Sequence, residues 1–567
     1  MGLIERRIGL LFAVFVLLFG AALLRTAQVT VVQGASLKQR ALGQQMGTQT
    51  LPAPRGAILD RNGAQLAVST DAADISATPY LVKEPRSVAL ALAPLLDVEA
   101  DKLALKLSDR SQGFVYLKRG LDGNAAEKLR KAIIKARADH RADDKALSLD
   151  GIDVVQTSER AYPQRTLAAQ MLGFVGTDGD GLSGLEYAFE KQLHGTDGER
   201  RVVKDARGDP IQTVEAKRVR PGTDVELTLD SQLQLKTEAV LAEVGQKFRP
   251  KGATAVVMDP RTGEVLALAN WPRVDANDPT SAPDYARQNR AIGFTYEPGS
   301  TFKAITVAGA VQEKVVTPDT TFDLPPTLQV QDRIIKESHP RGPVSLTVSQ
   351  ILAQSSNVGS VKIGQALGED HFDKWVHRFG FGSPTGVDLQ GEERGIVPRR
   401  ADYSGSSIGN LPIGQGLAVT PMQMATAYSA IANGGTLRPP RVVRSIGGKA
   451  EVRPAGHRVI SQRTAASLRK MLKGVVGPGG TASEAAIPGY DLAGKTGTAQ
   501  KPDEYGGYSK SKFVGSFIGF APANRPRLLV AVMVDEPQGQ YYGGLVAAPA
   551  FQQILNFALP YYKIPPS

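Results

Sequence analysis

The sequence predicts an α+β protein in three parts: a single N-terminal helix of membrane-spanning length, an elongated segment of mixed β and α elements, and a C-terminal domain in which a mainly antiparallel sheet is sandwiched by helices. Three observations predict it. An uncharged run of seventeen residues, Ile8 to Leu24, follows Arg6 and Arg7. From about Leu51 to Val219 the chain is charged, alternating and dense in turn signals. From about Gly252 onward it turns to long apolar strands, amphipathic helices and glycine-rich loops. The parts are placed at residues 1–25, 26–235 and 236–567.

Composition narrows the chemistry. With 567 residues, 42% hydrophobic and 22% charged, the chain buries several cores and is neither disordered nor fibrous. It has no cysteine, which removes disulfides, thiolate metal sites and a cysteine nucleophile together. Six histidines are scattered without paired-ligand spacing, so neither a metal nor a cofactor is expected. The net charge is +11, yet basic residues come in ones and twos between acids. That is a surface bias suited to an anionic membrane or wall polymer rather than a nucleic-acid footprint.

At the N-terminus the apolar run sits at the lower edge of what spans a bilayer. A cleaved signal peptide is the alternative, because Gly20-Ala21-Ala22 loosely resembles a small-residue cleavage site; Leu23 and Leu24, however, continue the run past it. An uncleaved anchor is the favoured reading. Arg6 and Arg7 then hold the N-terminus cytoplasmic, and everything after about Ala27 lies outside the membrane, away from ATP.

In the first half, Leu59-Asp60-Arg61-Asn62-Gly63 is a tight-turn signal. Asn124 to Ala138 reads as a solvated helix with apolar residues at Leu129, Ile133 and Ile134. In the second half, Ala253 to Met258 and Glu264 to Asn270 flank a turn and read as a hairpin. Phe513 to Phe520 and Leu528 to Val534 make another, with the near-continuous apolar character of strands covered on both faces. Thr420-Pro421 starts a helix that Gly434-Gly435 ends.

Three motifs carry the chemistry. Ser300-Thr301-Phe302-Lys303 follows Glu297-Pro298-Gly299, so a loop delivers the serine to a helix start and a spacing of three puts Lys303 on the same face. A serine hydroxyl is a poor nucleophile until a base takes its proton, and a lysine serves only if desolvation or a second cation keeps it neutral. Ser-x-x-Lys also occurs at Ser467/Lys470, inside an amphipathic helix, and at Ser509/Lys512, in a polar loop; neither has that context. The second motif is Ser355-Ser356-Asn357, read either as an ordinary polar turn or as a hydroxyl relay (Ser355) with an amide clamp (Asn357). The third is Lys495-Thr496-Gly497-Thr498. Gly489 to Thr496 also matches the phosphate-loop pattern, but Pro488 before it and Gly497 and Pro502 after it break the strand-to-helix context that loop requires. A strand in which Gly497 admits a close ligand backbone, with Lys495, Thr496 and Thr498 as donors to a carboxylate, suits the segment better.

Ser-x-x-Lys, Ser-x-Asn and Lys-Thr-Gly in this order resemble the motif set of penicillin-binding proteins and class A β-lactamases. Upstream, Arg55-Gly56-Ala57-Ile58-Leu59-Asp60-Arg61-Asn62-Gly63, Arg160-Ala161-Tyr162-Pro163 and Gly184-Leu185-Glu186 resemble the pedestal, or dimerisation-type, domain of class B penicillin-binding proteins. Phe379-Gly380-Phe381-Gly382 and Leu389-Gln390-Gly391-Glu392, with the length and single anchor, look most like the division-specific FtsI type, the elongation-specific type being the runner-up.

The resemblance implies a peptidoglycan D,D-transpeptidase of the inner membrane with its catalytic domain extracytoplasmic. Ser300 would attack the D-alanyl-D-alanine carbonyl of a stem peptide, forming an acyl-enzyme that a neighbouring stem amine resolves. Lys303 would be its base, Ser355 the proton shuttle, Asn357 a substrate ligand, and Lys495, Thr496, Gly497 and Thr498 the carboxylate site. Backbone N–H groups of Ser300 and Thr498 would form the oxyanion hole, and β-lactams would acylate Ser300 as mimics. A membrane glycan polymerase of the FtsW kind and other division proteins are the implied partners. A carboxypeptidase or β-lactamase of the same fold, and a β-lactam sensor, stand as competing readings.

Overall fold

The computed structural model describes residues 2–32, 46–204, 210–452, 455–503 and 506–567. Its two compact units do not follow the chain as consecutive blocks: one comprises Met1–Pro54, Thr70–Glu159 and Gly195–Gly222, the other Arg55–Ser69, Arg160–His194 and Thr223–Ser567.

The first unit opens with the helix Gly2–Ala27. Its span from Arg7 to Thr30 is long and apolar enough to cross a membrane, and its leucines and phenylalanines are exposed. Helices Pro85–Leu96, Ala100–Ser108 and Gly123–Ala142 enclose a small core of Val88, Leu92, Leu103, Leu107 and Leu129. The last of them begins where Asp122 accepts from the Asn124 and Ala125 amides, an N-cap that neutralises two orphan donors. It runs a turn beyond the predicted end, and Ile134 faces outward while Leu129 and Ile133 are buried.

Numbered within the second unit, α1 (Ser231–Phe248) leads into β1 (Gly252–Asp259) and β2 (Glu264–Trp271). Helices α2 (Lys303–Gln312), α3 (Val348–Ala353), α4 (Asn357–Leu367), α5 (Pro421–Ala432) and α6 (Gln462–Val476) precede β3 (Ala493–Pro502), β4 (Tyr508–Ala521), β5 (Leu528–Asp535) and α7 (Ala548–Tyr561). The strands form one antiparallel sheet in the order β2-β1-β5-β4-β3, so β3 is an edge. Successive side chains of a strand point to opposite faces, and every residue from Gly252 to Met258 and from Leu528 to Asp535 is buried. Both faces are therefore covered, by α1 with α7 and by α5 with α6. Thr420 and Gln423 close a reciprocal capping box at the start of α5, as the Thr-Pro signal predicts.

Three distant segments of this unit meet at one buried carboxylate. Glu186 accepts from Arg55 Nε (3.1 Å), Arg160 Nε (2.6 Å) and the Tyr162 hydroxyl (3.3 Å), and Arg160 also donates to the Gly56 carbonyl (2.8 Å). The three upstream stretches singled out in the sequence are thus one cluster. It ties 55–69 to 160–194, since a buried ion leaves its partners only at high cost; these segments reach the C-terminal body through separate bonds, in which Asp60 accepts from the Ser231 hydroxyl (2.7 Å), Asn277 Oδ1 from the Tyr162 amide (2.9 Å) and Glu238 Oε1 from the Ala168 amide (2.7 Å).

Candidate active site

Ser300 lies in a single 3₁₀ turn, Gly299–Phe302, that runs straight into α2. The turn is fixed from all sides. Thr301 Oγ1 donates to the Pro298 carbonyl (2.7 Å), the Tyr428 hydroxyl of α5 donates to the Thr301 carbonyl (2.6 Å), and Gly299 N donates to the Gly414 carbonyl (3.0 Å). Gly299 sits at φ +53°, and a β-carbon there would stand 3.1 Å from the Thr498 carbonyl oxygen. The nucleophile turn therefore packs directly against edge strand β3.

Lys303 begins α2 and is fully buried. Its Nζ lies 2.7 Å from the Ser355 carbonyl, 3.3 Å from Ser355 Oγ and 2.6 Å from Asn357 Oδ1. Burial brings its ammonium down to about 7, against a smaller upward pull from the Glu337 carboxylate. A lysine so placed is substantially unprotonated near neutral pH. Its Nζ donates to the Ser355 carbonyl, the Ser355 hydroxyl and Asn357 Oδ1. The first two motifs are thus one hydrogen-bonded unit, and Ser300, half-buried, is one turn away.

Ser355 occupies the link between α3 and α4 with φ +59°, a left-handed conformation rare for a residue with a β-carbon. Tension of this kind persists only where the surroundings impose it. Here Ser356 caps α4, accepting from Gly359 N (2.9 Å), and donates to Glu337 Oε1 (2.6 Å). Ser355-Ser356-Asn357 is thus a capped turn, and it also places Ser355 and Asn357 against Lys303.

Lys495, Thr496, Gly497 and Thr498 lie on β3, and a strand, not a helix, follows Lys495. The phosphate-loop alternative falls on that observation. A β-carbon on Gly497 would come within 2.3 Å of Ser516 Oγ, 2.9 Å of the Pro298 carbonyl and 2.9 Å of Thr301 Cγ2. The close approach that requires glycine is made by the protein's own nucleophile turn, where the sequence suggested a ligand backbone. Lys495 is fully buried, with Nζ 3.2 Å from the Thr496 carbonyl and 3.3 Å from its Oγ1. Burial, and secondarily the charge of Lys303, hold it well below the ordinary lysine range. The repulsion between the two cations thus falls on Lys495, while Lys303 is depressed by desolvation. Thr496 Oγ1 pairs with Thr481 Oγ1 (2.7 Å). Thr498 Oγ1 accepts from Gly543 N (3.0 Å), which leaves its own hydrogen free to donate.

Of the two rival Ser-x-x-Lys matches, Ser467 and Lys470 lie in α6 as expected, whereas Ser509 is a buried residue of β4 rather than part of a loop, held there by strand pairing. Sequence reasoning missed Thr481, Glu337 and Tyr542-Gly543. The last lie within a Tyr541-Tyr542-Gly543-Gly544 run, the one local signal available: Tyr542 stacks on His339 (5.7 Å between centroids) and tilts against Tyr541 (4.6 Å) beside Thr498.

Comparison with known proteins identifies the two domains. Residues 253–556 match the penicillin binding protein transpeptidase domain, and residues 50–227 the penicillin-binding protein dimerisation domain. The chain is 34% identical to stage V sporulation protein D of Bacillus subtilis, covering 97% of this chain and 86% of that protein. It is 32% identical to the peptidoglycan D,D-transpeptidase FtsI of Escherichia coli, covering 99% and 93%. Penicillin-binding protein 3 of Mycobacterium tuberculosis, solved in complex with ampicillin, superposes with a TM-score of 0.70 at 28% identity, covering 92% of this chain and 97% of that one. With both domains in one chain and these relatives along nearly all of it, the chain belongs to the class B penicillin-binding proteins, the family of peptidoglycan D,D-transpeptidases.

Proposed function

We propose that Ser300 is the nucleophile that cross-links peptidoglycan stem peptides. Lys303 takes its proton as the hydroxyl attacks the carbonyl between two D-alanines. The amides of Ser300 and Thr498 receive the oxyanion, Ser355 relays a proton to the departing D-alanine, and an acceptor amine then displaces Ser300 from the acyl group. Asn357, Thr496 and Thr498 hold the donor peptide and its carboxylate along edge strand β3, beside Lys495 and Gly497. The observation that carries this reading is Lys303: a buried amine near 7, hydrogen-bonded to the Ser355-x-Asn357 turn one helical turn from a half-buried serine. β-Lactams acylate Ser300 in the same way, a proposal supported by the ampicillin complex of the mycobacterial relative. The deciding measurement is covalent labelling by a fluorescent penicillin. Wild type should label and Ser300→Ala should not; a labelled mutant discards the assignment. An adduct that persists for many minutes separates a transpeptidase from a β-lactamase.

The site works in septal synthesis, anchored in the inner membrane by residues 1–25 with the N-terminus cytoplasmic, the segment 26–235 as pedestal and 236–567 as catalytic domain. Similarity to FtsI at 32% identity supports this assignment, and similarity to a sporulation protein at 34% makes it testable. Depletion should give filamentous cells; rounded cells would indicate the elongation-specific role. A polymerase of the FtsW kind is the proposed partner through the anchor and pedestal, and deleting residues 1–25 should abolish its co-purification.

A further inference from the structure

We propose that Glu337 is a positioning residue for the reaction: its carboxylate clamps the Ser355–Asn357 turn and, by its charge, sets the pH at which Lys303 becomes a base. Glu337 follows the short strand Arg333–Lys336 and its side chain is nearly buried. Two of its polar contacts are made to the motif and the third to an arginine. Oε1 accepts from Ser356 Oγ (2.6 Å) and from Arg341 Nη2 (2.6 Å), and Oε2 accepts from the Asn357 amide (2.7 Å) at the first turn of α4. The preceding residue takes part too, since Asn357 Nδ2 donates to the Lys336 carbonyl (2.8 Å). Asn357 is thereby held by its amide and its side-chain nitrogen, which directs Oδ1 at Lys303 Nζ. These bonds act beside those that hold the left-handed Ser355 itself, from Ser355 N to the Leu352 carbonyl (3.3 Å), from Ser356 N to the Ile351 carbonyl (3.0 Å) and from Lys303 Nζ to the Ser355 carbonyl (2.7 Å).

The charge argument is separate from the clamp. The titratable groups facing Lys303 are Glu337 and the second buried lysine, Lys495, and Glu337 is itself faced by Arg341. These hydrogen bonds and the nearby cations outweigh burial and keep Glu337 below the usual carboxylate range, so it is charged wherever the enzyme works. A fixed negative charge stabilises the protonated form of Lys303. Glu337 therefore opposes desolvation and stops the lysine from becoming too weak a base. Brønsted behaviour favours a base whose pKa lies near the working pH.

The inference rests on the role proposed for Ser300 and Lys303, and the test keeps the two apart. With the full chain in detergent, the rate of labelling by a fluorescent penicillin is followed across about pH 5 to 9.5. If Ser300→Ala still labels, the proposed function fails and this inference with it. If it does not, the rising limb of the profile decides. Glu337→Gln should move that limb down by about one pH unit and lower the plateau about tenfold, while Glu337→Asp should restore the limb. A clamp without an electrostatic part would lower the plateau in both variants and leave the limb in place, and that result overturns the proposal. Should Glu337→Gln fail to fold, Arg341→Gln decides alone. Freed of its counter-charge, Glu337 should shift the limb upward, and a limb that stays put refutes the inference.

Discussion

Two buried clusters of charge in the second unit are built on opposite principles. Around Glu186, two arginines and a tyrosine hydroxyl converge on one carboxylate, and Arg55 also reaches Glu190 (2.8 Å). Around Ser300, two lysines with no exposed surface share the neighbourhood of one carboxylate, Glu337, which Arg341 already engages. A buried cation with a partner stays charged and ties segments together; a buried lysine short of partners gives up its proton. The chain places arginine, which cannot be deprotonated, where segments are tied together, and lysine at the site proposed to need a base. Burial thus produces architecture in one place and reactivity in the other.

The sharpest break of that contrast is to exchange each cluster's key group and ask what is lost. Lys303→Met keeps most of the volume and removes the amine. Penicillin acylation should fall by about 10²- to 10⁴-fold, with the melting temperature unchanged or higher, because a desolvated amine has been replaced by an apolar chain. In the wild type the acylation rate should rise with pH through about 7, since the reactive form is the deprotonated lysine; Lys303→Met should lose that limb. Glu186→Ala should do the reverse. It strands two arginines in the interior and should cost about 3–5 kcal/mol of stability, read by denaturant unfolding, while acylation per folded molecule changes less than about twofold. A Glu186→Ala variant that melts like wild type would refute the structural half of the comparison.

The chemistry was more legible in the sequence than the scaffold beneath it. Ser300, Lys303, Ser355, Asn357 and Lys495 to Thr498 stand out because reactions need particular groups in short motifs, and short motifs survive in one dimension. The hairpins β1–β2 and β4–β5 and the capped start of α5 were legible for a similar reason, being governed by local turn and capping chemistry. What did not show was long-range. Glu337 lies nearly twenty residues before the turn it clamps, Glu186 joins segments that begin at Arg55, and the neighbours that require Gly497 come from Pro298 and Thr301. The upstream stretches could be seen as familiar without their common purpose, because nothing in spacing reveals that three of them meet at one carboxylate. Ser509 looked like loop because polar residues surround it; pairing of β4 with its neighbours overrode that local preference.

Gly497 tests how tightly the reactive cluster is built. A methyl group there must displace Ser516 Oγ or push the Pro298–Thr301 turn off β3. Overpacking of this kind costs about 1–3 kcal/mol, and a shift of the nucleophile turn by even a fraction of an ångström should slow acylation by about 10- to 100-fold. Gly497→Ala should therefore lose activity while retaining most of its stability, which a melt and a labelling time course measure together. Equal losses in both would mean that the turn and the strand are held by general packing and not by this contact.

The smallest expected effect is also the most discriminating. If Lys303 owes its low proton affinity to repulsion by Lys495, removing Lys495 should raise it and move the rising limb of the acylation profile upward. Burial is instead the larger cause at both lysines, with the charge of Lys303 a secondary cause at Lys495. Removing Lys495 leaves in place the burial that is the main cause of the low proton affinity of Lys303. Lys495→Met should therefore leave the limb within about half a pH unit of wild type, while weakening affinity for penicillin through the disturbed hydroxyls of Thr496 and Thr481. An upward shift of a full unit or more would show that both lysines compete for one proton on equal terms, and the clean division between a base and its neutral neighbour would have to be replaced by a shared, two-step titration.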